Sequence, residues 1–139
     1  MTYYIRYALV DPAPISPSEI SDGLQKSDPD CMIDGDMLVF KDEEYGQVNI
    51  TSLGDNFFAD ELELMAEFAE QDDNNLFLLN TLRKVTSVVL LQVLWSGRDE
   101  NEVRQVIERM FDWLMQNREG LLIDEGGSFY FALSQNARE

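Results

Sequence analysis

The sequence predicts an α+β fold: a single sheet of six to seven strands, largely antiparallel, with three to four helices. Three observations carry this. The segment 85–95 (VTSVVLLQVLW) is the longest apolar run, and its β-branched residues suit a central strand covered on both faces. Residues 100–118 repeat apolar side chains at helical spacing. Elsewhere, short alternating segments are punctuated by Asp-Gly, Ser-Gly and Gly-Gly turns. The expected order is β-α-β-β-β-α-α-β-α-β-β. One parallel pair is admitted, because the helix over 100–118 is a suitable crossover.

Taken in order, residues 2–10 alternate, with Tyr3, Ile5, Tyr7 and Leu9 on one face and Tyr4, Arg6 and Ala8 on the other. Asp11-Pro-Ala-Pro14 ends this strand, since proline cannot donate to a ladder. A helix then starts with Ser16 as N-cap, Pro17 at the first position and Glu19 as the reciprocal capping residue. Residues 31–33, the Asp34-Gly35 turn and 36–40 read as a hairpin of type I′. A longer turn over 41–46 leads into a third strand over 47–53.

Residues 55–71 are rich in helix formers, with Asp55 the expected cap. Phe57, Phe58, Leu62, Leu64, Met65 and Phe68 share a broad apolar face, opposite Asp60, Glu63, Glu67 and Glu70. Glu61 falls inside the apolar stripe. A carboxylate there needs a partner, a proton or water, and Arg6, Arg83 and the tyrosine hydroxyls are the partners to hand. Residues 76–84 read as a short helix before the central strand; the alternative is one helix running on to Leu94. Asp99 and Glu102 favour the start of the next helix, Gly120 its C-cap, and 121–133 a closing hairpin around Glu125-Gly-Gly127.

At 139 residues with 45% apolar content, the chain is expected to form one domain over 1–139, with 134–139 frayed. Its net charge is −17, and the first 80 residues hold 18 acidic against three basic residues. Such a field disfavours nucleic acid and anionic lipid and favours a basic partner or a divalent cation. There is no histidine, which removes the usual general base and imidazole ligands. The single Cys31 excludes an intrachain disulfide and fits a reducing cytoplasm. Residues 1–10 are too short and polar for a signal peptide, and the apolar region 76–95 is interrupted by Asn80, Arg83 and Lys84.

No motif for a cofactor or metal is present, and none is expected. The cluster Asp28, Asp30, Asp34 and Asp36 fails the calcium-loop register, because Met32 and Lys41 fall where ligands are needed. Asp124-Glu125-Gly126-Gly127 has the composition of a hairpin tip, and the free amides after Gly97-Arg98 are already faced by Asp99, Glu100 and Glu102.

The leading functional expectation is a cytoplasmic interaction or regulatory domain, of inhibitor or immunity type. In it Asp60, Glu63, Glu67 and Glu70 would draw a protein partner with a basic surface. A carboxylate- or metal-dependent hydrolase, with Glu61 as acid or base near Asp124 or Glu125, is the alternative class. A small-ligand module is the third, with Tyr3, Tyr4, Tyr7 and Arg6 lining a cleft. Trp95, Trp113, Phe129 and Phe131 add the expectation of a homodimer.

Overall fold

The computed structural model describes residues 3–131. The tail over 134–139 lies outside the described residues, as do the outer ends of the first and last expected strands and the side chain of Phe131. Among the described residues the order is β1 (Tyr4–Leu9), α1 (Pro17–Ser27), β2 (Cys31–Asp34), β3 (Met37–Phe40), β4 (Glu43–Ser52), α2 (Asn56–Glu70), α3 (Asn75–Leu82), β5 (Ser87–Val93), α4 (Glu100–Asn117), β6 (Gly120–Ile123) and β7 (Phe129–Phe131). The seven strands form one sheet in the order β2-β3-β4-β5-β1-β6-β7. This is the expected α+β class.

Every neighbouring pair is antiparallel, so the admitted parallel pair is not formed. The physical reason is the position of β1. α4 does cross between two strands of the same direction, β5 and β6, but β1 lies between them and bonds to both. The crossover therefore spans a strand.

Alternation along the strands builds two cores. Tyr7 and Leu9 of β1 and Val89, Leu91 and Val93 of β5 pack with α1 and α4. Ala8 and Val88 face the opposite way and pack with Phe58 and Met65 of α2, Leu78 and Leu82 of α3, and Leu121 and Ile123 of β6. Helices thus cover the sheet on both sides.

The local signals differ from expectation at five places. Ser16 Oγ accepts from the Glu19 amide as an N-cap should, but the Glu19 carboxylate turns to Arg118 instead of closing the capping box. At the β2–β3 turn the loop residues are Gly35 and Asp36, and Gly35 is the one with positive φ (64°), the pattern of type II′. The β3–β4 turn is shorter than expected. Lys41 and Asp42, both with positive φ (51° and 66°), make it a type I′ turn without glycine. Asp55 makes no side-chain cap and instead accepts from the Ser52 amide.

Gly120 is not a helix cap. It begins β6, pairs with Leu9, and has no positive φ. Its lack of a side chain is needed for another reason: a Cβ there would lie 2.4 Å from the Ala8 carbonyl and 2.9 Å from the Tyr7 ring. Backbone on one side and a fully buried ring on the other leave no room to relax. Gly120→Ala is expected to destabilise by about 1–3 kcal/mol, the usual range for overpacking. A chemical-denaturation midpoint equal to wild type would contradict this packing.

Candidate functional site

The register of the sheet sorts its α2-facing side into rows. Thr51, Val88, Ala8 and Leu121 form one row, Asn49, Leu90, Arg6 and Ile123 the next, and Gln47, Gln92 and Tyr4 the third. Val88, Ala8 and Leu121 are buried, whereas Gln47, Gln92 and Tyr4 are only half-buried. Apolar content falls along the strands. α2 lies where the two characters meet.

Its buried line runs through Phe58, Leu62, Met65 and Ala69, one turn apart, rather than through the centre of the wider apolar face expected from sequence. Residues to one side of that line meet the polar rows. Glu61 is among them, and its Oε1 accepts from Arg6 Nε at 2.7 Å. The two side chains are 17% and 9% exposed, so the pair is largely removed from water and each partner satisfies the other. Arg6 also stands 5.7 Å over the Tyr4 ring. Phe57, expected in the core, is 70% exposed because it lies still farther from the buried line.

Beside this pair is a cleft of about 600 Å³, walled by Asn49, Thr51, Asp55, Phe57, Glu61 and Leu90. The Thr51 hydroxyl is buried and has no hydrogen-bond partner among the described residues. Leu53, 67% exposed, follows β4 and precedes α2. Among the described residues the lining contains no basic side chain.

On the outer side of α2, Asp60, Glu63, Glu67 and Glu70 are all exposed, one helical turn apart. Among the described residues none of the four pairs with a basic side chain. Most arginines are engaged elsewhere: Arg6 with Glu61, Arg98 with Glu43, Arg104 with Glu100, Arg109 with Asp28, and Arg118 with Asp11 and Glu19. The stripe therefore carries four exposed carboxylates with no ion pair among the described residues.

Asp124 lies on the other side of the sheet from Glu61. It lines a smaller cleft under α4 and accepts from Tyr130 OH and the Ser128 amide. Glu125 accepts from the Tyr4 amide. Residues 123 and 124 point to opposite faces of the strand end, which puts Asp124 on the α4 side while Ile123 packs beneath α2. Among the described residues no three acidic or cysteine side chains are grouped to hold a metal ion.

The tyrosines divide in the same way. Tyr7 is fully buried, with its hydroxyl donating to the Arg118 carbonyl, and burial holds that hydroxyl well above its usual pKa. Tyr3 instead stacks edge-on against Trp95 at 5.4 Å in the cleft under α4, about 280 Å³ in volume. Trp95 and Trp113 are half-buried against the core, and Phe129 packs on the α2–α3 side. Trp113 lies over Gly23, where a Cβ would approach its indole to 2.1 Å. These three aromatics are used within the fold. The exposed rings and apolar chains that sequence reasoning missed are Phe57, Leu53, Leu76, Phe77 and Tyr130.

No described helix is long and apolar enough to cross a membrane. Comparison of the chain with protein-family models, with curated proteins and with solved structures finds no significant match.

Proposed function

We propose that this chain is a small acidic interaction or regulatory domain that binds a basic protein partner through the outer face of α2, as an inhibitor or immunity-type protein would. One observation carries the reading. Asp60, Glu63, Glu67 and Glu70 line one exposed face with no ion-pair partner among the described residues, on a chain that pairs most of its arginines internally.

Like charges one turn apart cost a helix a few tenths of a kcal/mol per pair, about 0.2–0.5. A basic surface laid along the stripe relieves that repulsion and gains the attraction. At distances within the Debye length, roughly 8–10 Å at physiological salt, the four charges act together and speed encounter. The same field works against nucleic acid and anionic membranes. A cytoplasmic location belongs to this proposal and accords with the buried, unpaired Cys31 thiol.

The test is to isolate the basic protein retained by the wild-type chain at low salt and titrate it against the combined variant Asp60→Asn, Glu63→Gln, Glu67→Gln, Glu70→Gln. Removing four such charges is expected to weaken binding by about tenfold or more. Raising salt should do the same to the wild type and little to the variant. Equal affinity of the two chains, at low and high salt, would exclude the stripe as the binding surface.

A further inference from the structure

Building on the proposed acidic docking face, we infer that the cleft beside the first turn of α2 is its anchor point, taking an apolar side chain that neighbours a lysine or arginine in the partner. The cleft opens at the end of the helix where the stripe begins: Phe57 and Asp60 are three residues apart, on adjacent turns. Its walls combine both chemistries. Phe57 and Leu90 offer apolar surface, and Phe57 is 70% exposed, so an inserted side chain would remove ring area now facing water.

Glu61 uses Oε1 for Arg6, and Asp55 uses Oδ2 for the Ser52 amide, which leaves each with a second carboxylate oxygen. Asn49 and Asn56 supply side-chain amides on the same walls. Charge complementarity selects the occupant. A second copy of this chain would bring a surface of net charge −17 toward a cleft walled by Asp55 and Glu61 and continuous with the acidic stripe. A basic segment meets opposite charge at every one of these positions.

The experiment uses two fluorescent synthetic peptides of alternating lysine and alanine, identical except that one carries a terminal tryptophan. Both are titrated by anisotropy at low salt against the wild type, Phe57→Ala and Leu76→Ala. Leu76 is 77% exposed at the opposite end of the helical layer and serves as the control. The tryptophan is expected to tighten binding to the wild type by about tenfold, the effect of one well-buried apolar anchor. Phe57→Ala should abolish that gain and Leu76→Ala should preserve it, while the all-lysine-alanine peptide binds all three chains alike.

A tryptophan gain that is absent, or that survives Phe57→Ala, overturns the anchor and leaves the electrostatic reading standing. Failure of both peptides to bind at low salt overturns the electrostatic reading and the anchor with it. Light scattering is the second measurement. A doubled mass that Phe57→Ala returns to monomer would place a second copy in the cleft and overturn the assignment to a basic partner.

Discussion

Glu61→Leu is expected to destabilise the fold by about 3–5 kcal/mol, because it leaves the Arg6 guanidinium buried without its counter-ion. Arg6 is 8% exposed and sits on a central strand, so it cannot swing out to water. The double variant Arg6→Met, Glu61→Leu should recover most of the loss, since apolar groups of similar volume replace a buried pair without the desolvation cost of either ion. Urea unfolding of the four chains of this cycle gives the coupling directly. If Glu61→Leu alone were neutral, Glu61 would not hold Arg6, and the wall it forms in the cleft would be free to move. The distinction matters for function. A carboxylate held by a buried arginine keeps its position in the cleft wall.

Arg118→Met is expected to cost a similar amount, about 3–5 kcal/mol, and to act at a different place. Arg118 is 8% exposed at the end of α4 and binds Asp11 at 2.8 Å, Glu19 at 2.7 Å, and the carbonyls of Ala13 and Pro14. One guanidinium thus ties the segment after β1 and the first turn of α1 to the end of α4. Arg118→Lys should restore little, because an ammonium lacks the planar fork that reaches several acceptors at once. The pH dependence gives a second readout. The Asp11 carboxyl is held below its usual range, first by the Ala13 amide and further by Arg118. Its stabilising contribution is therefore complete above the ordinary carboxylate pKa, about 3.9, and is lost as the pH falls through the depressed value. Asp11→Asn should differ from wild type in unfolding midpoint at neutral pH and converge with it in strong acid. A constant difference across that range would exclude Asp11 as the titrating group.

What the sequence made legible was local. The run of β-branched residues in β5, the capping signals at Ser16 and Asp99, and the apolar stripe of α4 all act over a few residues, and each produced the element expected. Glu61 was legible for the same reason: a helical wheel shows a charge out of place, and Arg6 was among the partners it could reach. The strand order was not legible. That β1 inserts between β5 and β6 depends on pairings between residues far apart in the chain, and the helix that suits a crossover looks the same whether it spans a strand or not. Gly120 shows the ambiguity of a single signal, since a glycine after a helix serves equally as a cap or as a point of close approach. Phe57 was misplaced because the wheel gives the width of an apolar face and not its buried centre, which the sheet beneath decides. The separation of Glu61 from Asp124 follows from strand parity and could be seen only once β6 was placed beside β1.

The position of β1 also sets the order in which the molecule can be completed. Tyr7 pairs with Val89 on one side and Leu122 on the other, so β1 finds both its neighbours about 80 or more residues later in the chain. Until β6 is available, one ladder edge of β1 is unpaired and Leu121 and Ile123 are missing from the core beneath α2 and α3. β2, β3 and β4 can meanwhile pair as a meander, since their turns close over two residues. Closing the rest requires a long loop to be ordered before its contacts reward it, which is the condition for slow folding with apolar surface exposed in the interval. The 18 acidic residues among the first 80, against three basic ones, give such a partly paired chain a repulsive field toward other copies of itself.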